Sequence, residues 1–257
     1  MSGLQTYRMV LAYDGGRYHG WQAQARVATV EGELHRALAQ LTGERCRILA
    51  AGRTDAGAHA HGQVVAFTLG SDWSPARLSA RCNAVLPADV KVLAAARAES
   101  DFHPRRQAWR RTYRYLVRDG APSDPVGRGY EWRVPKPLEL LPMRRAARML
   151  LGRHDFAAFG SSPRPDGGTI RTVDRADLWR VGGLITLEVR ADAFLRSMMR
   201  GFAGALATVG AGRARPVQVA EALEAPSEFR GRWTAAPASG LHQWRVEYSP
   251  GTGGLAA

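Results

Sequence analysis

The chain has 257 residues, 45% of them hydrophobic, and a formal net charge of +13 with a pI near 10.8. That length and composition suit one large domain or two of ordinary size, each with a real core. No run of about 18 apolar residues occurs, and the start MSGLQTYRMV lacks a basic n-region and an apolar h-region, so the expectation is no membrane span, no signal peptide and a cytoplasmic location.

Residues 7–13, YRMVLAY, predict a strand ending in the turn Asp14-Gly15-Gly16. Residues 29–43 predict a helix: Thr29 suits its N-cap, Glu31 its first turn and Gly43 its end, with Val30, Leu34, Leu38 and Leu41 on one face. Short strands are expected at 63–69 and 90–98, around a segment containing Pro75 and Pro87, and another at 112–118. Prolines 122, 125, 135, 137 and 142 mark a long connection. Met143 to Leu151 predicts a helix ending at Gly152, and residues 174–191 a hairpin around Gly182-Gly183. In its second strand Ile185, Leu187 and Val189 alternate with Thr186, Glu188 and Arg190, which predicts one buried and one wet face. Phe194 to Val209 predicts a helix with an apolar stripe, Pro216 opens a short helix to about Leu223, and 244–248 alternate as a last strand.

Strand, helix, strand, strand, then a similar set again predicts an α+β chain of two similar halves, with antiparallel or mixed sheets and helices on one face. The expected division is 1–120, 121–142 as connection, 143–250, and 251–257 as a loose tail. TYRMVLAYDG (6–15) and TYRYLVRDG (112–120) echo one another with a one-residue gap, a similarity that chance between two strands also produces.

A folded protein this basic usually meets a polyanion, and nucleic acid is the leading partner class. Among the 36 basic residues the only lysines are Lys91 and Lys136. Arginine forks onto phosphates and stacks on bases, although a GC-rich genome also favours its codons. Cys46 and Cys82 form no C-x-x-C pair and read as two buried thiols. There is no P-loop, G-x-G-x-x-G, H-E-x-x-H or G-x-S-x-G. His59 and His61 have metal-ligand spacing but no apparent third ligand. A basic chain without a cofactor motif is either a passive nucleic-acid binder or an enzyme that works with side chains alone.

The stretch AGRTDAGAHAHGQVVAF (51–67) holds one acid, Asp55, between Gly52 and Gly57 and two residues after Arg53. If the segment is extended, Arg53 and Asp55 share a face, and a guanidinium keeps a desolvated carboxylate ionised as nucleophile or base. A surface turn with a solvated Arg–Asp pair fits the same residues. Composition and spacing leave both open.

The words around the loop go further. AYDGGRYHGWQAQ (12–24) with GRTDAGAH (52–59) resembles the TruA family of tRNA pseudouridine synthases. So do NAVLPADV (83–90), DFHPR (101–105), RTYRY (111–115), GRHDF (152–156), FLRSMMR (194–200) and APASGL (236–241), in order along nearly the whole chain. The resemblance implies isomerisation of uridine to pseudouridine in the tRNA anticodon stem-loop, at nucleotides 38, 39 and 40, with no metal, nucleotide or redox cofactor. It implies a homodimer that binds tRNA, halves joined into one extended sheet and an active-site cleft between them. It makes Asp55 the catalytic carboxylate, Tyr113 the ring that stacks on uracil, Arg53 a filler of the space left by the flipped base, and Arg200 the aspartate's partner. On a helix Arg196 and Arg200 share a face, which a solvated basic stripe also explains. Arg105, Arg106, Arg110 and Arg111 are candidates for the tRNA backbone or plain wet surface. The chain departs from the family pattern at Arg106-Gln107 and at Gln243, where an aliphatic residue near the uracil is usual. An RNA-binding module without turnover is the competing reading; intact Asp55, Arg53, Tyr113 and Arg200 weigh against it.

Overall fold

The computed structural model describes residues 3–120, 125–162 and 167–249. In chain order the elements are β1 (Gln5–Tyr13), α1 (Val30–Thr42), β2 (Leu49–Ala50), β3 (His59–Leu69), α2 (Pro75–Val85), β4 (Val90–Arg97) and β5 (Ala108–Asp119). Next come β6 (Trp132–Val134), α3 (Leu140–Met149), β7 (Gly152–Asp155), β8 (Ile170–Val181) and β9 (Leu184–Ala191). The last are α4 (Met198–Gly210), α5 (Val217–Glu224), α6 (Pro226–Phe229) and β10 (Leu241–Tyr248). Ten strands and six α-helices among the described residues make the chain α+β, as expected.

The chain divides into two compact units, Met1–Trp109 with Gln243–Ala257, and Arg110–His242. This differs from the sequence-based division: most of β5 falls in the second unit because residues from Arg111 onward pair with β9, and β10 from Gln243 onward falls with the first. Residues 121–124 of the expected connection and the expected tail at 251–257 lie outside the described residues.

In the first unit the strands run in the order β4-β1-β3-β10, with β2 on β3. β1 is antiparallel to both β3 and β4, with Tyr7 opposite Phe67 and Met9 opposite Val65 and Ala95. Alternation along β1 sends Tyr7, Met9 and Leu11 to one face, where Val30, Leu34 and Leu38 of α1 and Leu78 and Cys82 of α2 complete the core. Val10 faces the other way, with Val64, Ala66 and Phe102. Cys46 packs against the α1–α2 side as well, and burial pushes its thiol up to about 11 and that of Cys82 up to about 12.

α1 starts and stops where its sequence signals lie. The Thr29 hydroxyl accepts from the Gly32 N–H at 3.3 Å, and Gly43 closes the helix in the left-handed region at φ 73°. Thr29→Ala is expected to cost about 1 kcal/mol, read from the urea midpoint. α2 has no counterpart among the predicted elements. Pro75 sits in its first turn, but only Leu78 and Cys82 are buried, too few to show a helical stripe.

In the second unit the order is β5-β9-β8-β7, with β6 parallel to β5. The β8–β9 hairpin turns at Gly182-Gly183 as predicted. Its expected wet face is not wet: Thr186 and Glu188 are buried beside Ile185, Leu187 and Val189. Glu188 is held by Arg114 at 2.7 Å and Arg175 at 3.2 Å, so ion pairs rather than water face its carboxylate. α4 packs its Phe202 against Phe156 and Phe159, the three ring centroids 5.2–6.4 Å apart.

Candidate active site

The loop that carries Asp55 leaves the sheet edge after β2 and returns at β3, with no regular structure between. The Ala51 N–H donates to the Val64 carbonyl at 2.8 Å, and the Gln63 amide to the Gly52 carbonyl at 2.7 Å. Thr54 is buried; its hydroxyl bonds the Tyr13 hydroxyl at 2.8 Å and its carbonyl accepts from the Trp21 N–H at 3.1 Å. The Asp55 carbonyl accepts from the Ala58 N–H at 3.1 Å, closing a four-residue turn. Gly57, third in that turn, has φ 80°, a value that a side chain would resist. The segment therefore turns at Asp55 and is not a strand, so the alternate-residue rule does not set the directions of Arg53 and Asp55. Arg53 is exposed and Asp55 half-buried.

Residues 13–21 form the seat of this turn. The Gly57 N–H donates to the Tyr18 carbonyl at 3.2 Å, and the Tyr18 hydroxyl donates to Asp89 at 2.6 Å. Burial, then that bond to Asp89, pushes the Tyr18 phenol up, so it stays a donor. A Cβ on Gly15 would stand 1.8 Å from the Ala58 carbonyl oxygen, and one on Gly20 2.7 Å from the Thr54 oxygen. Sequence reasoning placed Gly15 only in the turn after the first strand and assigned no role to Tyr18 or Gly20; their signal is the set of glycines in DGGRYHGW. His59 is buried and its Nδ1 accepts from the Gly15 N–H at 3.1 Å, while the His61 ring packs on Trp244 at 4.4 Å. No group of three His, Cys, Asp or Glu is placed to hold a metal ion among the described residues.

Also in the first unit, His103 organises the turn before β5. Its Nδ1 accepts from the N–H groups of Arg105 and Arg106 at 3.2 and 3.4 Å, and its own N–H donates to the Gln107 side chain at 3.0 Å. Burial, and then the charges of Arg106, Arg105 and Arg47, push the imidazole pKa down, which keeps Nδ1 an acceptor. Arg105 and Arg106 are exposed.

In the second unit Tyr113 lies on β5 opposite Val189, largely buried, with its ring edge-on to Phe194 at 4.7 Å. Arg200 is in the first turn of α4. Its Nε donates to the Ala236 carbonyl at 2.6 Å, and the Ala236 N–H returns a bond to the Arg200 carbonyl at 3.0 Å. The next carbonyl, of Pro237, accepts from the buried Tyr115 hydroxyl at 2.5 Å. Arg196 does not share a helical face with Arg200: Ser197 is left-handed at φ 61°, α4 begins after it, and the Arg196 backbone instead bridges to Ser161. Arg110 pairs with Asp174, which also holds Arg190 at 2.6 Å. Arg111 is buried with a guanidinium nitrogen on the Asp192 carbonyl at 2.6 Å. Both hold the sheet together, unlike exposed Arg105 and Arg106.

The family model described as tRNA pseudouridine synthase matches residues 146–249. A tRNA pseudouridine synthase A of Moorella thermoacetica is 41% identical over 247 residues, covering 95% of this chain and all of its own. Those of Pelobacter propionicus and a Methylobacterium species are 38% and 39% identical, with 95% of this chain and 100% and 98% of theirs covered.

The chain belongs to the tRNA pseudouridine synthase A family. Pseudouridine synthases are RNA isomerases, and membership accounts for the ordered words that carry the resemblance. In this family member GRTDAG is the pinned turn, DGGRYHGW is its seat, and the aspartate of NAVLPADV anchors Tyr18. APASGL supplies the carbonyls that Arg200 and Tyr115 hold. No helix among the described residues is long and apolar enough to cross a membrane.

Proposed function

We propose that this protein isomerises uridine to pseudouridine at nucleotides 38, 39 and 40 of the tRNA anticodon stem-loop, with Asp55 as the catalytic carboxylate. The observation that carries the reading is the Asp55 turn itself. Backbone groups of residues 51–57 are bonded to Val64, Gln63, Trp21 and Tyr18, all buried, which holds the turn that carries this half-buried carboxylate before any substrate arrives. The rearrangement breaks the N1–C1′ bond, turns the base and joins C5 to C1′. It is redox-neutral, takes no co-substrate and releases the C5 hydrogen as a proton.

Tyr113 stacks on the uracil in this reading, Arg53 fills the gap left in the RNA, and Arg200 pairs with Asp55. The target base leaves its stack to react. Arg105 and Arg106 bind backbone phosphate. Replacing both with alanine is expected to weaken tRNA binding and to reduce the slope of log K against log salt by roughly one for each phosphate no longer neutralised, measured by filter binding. The working form is a homodimer in the cytoplasm, checked by light scattering against the 28.0 kDa chain.

The direct test is tritium release from tRNA labelled at uracil C5, with chemical mapping of the modified positions. Release with pseudouridine at 38, 39 and 40 is the expected result. Tight tRNA binding without release would make the protein a binding module, and modification elsewhere would change the substrate.

A further inference from the structure

We propose that Gln63 and Gln243 form a relay that positions the Asp55 loop. The inference rests on the reading of Asp55 as catalytic and goes beyond it in assigning two buried glutamines a positioning role.

The relay starts at Gly52, three residues before Asp55. Its carbonyl accepts from Gln63 Nε2 at 2.7 Å, which commits the orientation of the Gln63 amide. Gln63 Oε1 then points the other way, inside the protein, and takes its donor from Gln243 Nε2 at 3.3 Å. Both side chains are fully buried. Turning either amide over would set oxygen against oxygen, so the polarity of the relay has one solution. That solution leaves Gln243 Oε1 at the far end, buried and without a hydrogen-bond partner among the described residues.

A buried acceptor without a donor loses its hydration and gains nothing. Leucine at 243 would remove that acceptor but leave Gln63 Oε1, equally buried, without its donor. What glutamine adds is a donor to Gln63, and through it a fixed Gly52 carbonyl. Glycine is the residue most free to rotate, and Gly52 stands between two points where the loop is held, Ala51 on Val64 and Thr54 on Tyr13. Without the relay it is a hinge next to the proposed catalytic group. Departures from local energetic logic concentrate at functional sites. The glutamine at 243, which departs from the family pattern, thus has a partner in Gln63.

The test is a double-mutant cycle with Gln243→Leu and Gln63→Leu, read by kcat and KM on tRNA, thermal melting, and hydrogen exchange of a peptide spanning 51–58. Gln243→Leu exchanges one orphan acceptor, its own, for another, Gln63 Oε1, and is expected to melt within about 3 °C of wild type. Its kcat falls about fivefold or more with KM within about twofold, since small misplacements near the chemistry are costly. Exchange in 51–58 speeds up. Gln63→Leu lowers kcat at least as much, and adding Gln243→Leu to it changes nothing further, because the second residue acts through the first. Equal proportional losses in both backgrounds would overturn the relay. So would a rise in KM at constant kcat, an unchanged kcat, or a melting temperature that falls in step with activity. Wild-type protein inactive on tRNA, with the exchange effect of Gln243→Leu intact, would instead refute the functional reading and leave the relay standing.

Discussion

Asp55→Ala is expected to lose at least about a thousandfold in tritium release while its tRNA affinity holds or rises. A positioned carboxylate acting as nucleophile or base accounts for rate factors of this order, and nothing else in the pinned turn carries that chemistry. Binding is expected to go the other way because a carboxylate facing a polyphosphate repels it, so its removal relieves that like-charge repulsion. The fold is expected to be indifferent. The turn is held through the Asp55 carbonyl and not through its side chain in the Ala58 bond, so alanine keeps the N–H to carbonyl closure. Single-turnover release, filter binding and a melting curve on one preparation check all three. A large loss of affinity with the melting temperature unchanged would mean that Asp55 recognises tRNA instead of transforming it.

Gly15→Ala is expected to be the most damaging small substitution in the first unit, at about 3 kcal/mol, or a fall of roughly 6–12 °C in melting temperature. The added methyl would stand 1.8 Å from the Ala58 oxygen and 2.6 Å from its carbonyl carbon. Both are backbone atoms, so no rotamer change relieves the clash. The Ala58 peptide closes the Asp55 turn, and moving it moves the carboxylate. Activity should therefore fall even at temperatures where Gly15→Ala is fully folded. Gly129→Ala is the control: nothing lies within 4 Å of its Cβ position, and its effect is expected within about 0.5 kcal/mol. Comparable effects of the two changes would show that the seat under the turn yields easily.

Elements whose signals are local were legible in the sequence. Thr29 and Gly43 bound α1, and Gly182-Gly183 turns the β8–β9 hairpin, because caps and left-handed turns act within a few residues. The ordered words also placed the chain in its family, and they name Asp55 without any geometry. Other features depend on neighbours that sequence spacing does not supply. α2 buries only Leu78 and Cys82, and β6 has three residues that pair in parallel within a proline-rich stretch. Glu188 reads as solvent-facing until Arg114 and Arg175 surround it, and Arg196 reads as helical until the left-handed Ser197 delays α4. The sequence by itself determined the family, the local elements and the candidate carboxylate. Only the tertiary structure decided that Gly15, Tyr18 and Gly20 seat the Asp55 turn and that Gln63 and Gln243 face one another. Those residues lie far apart along the chain, and which strands lie side by side sets whether they meet.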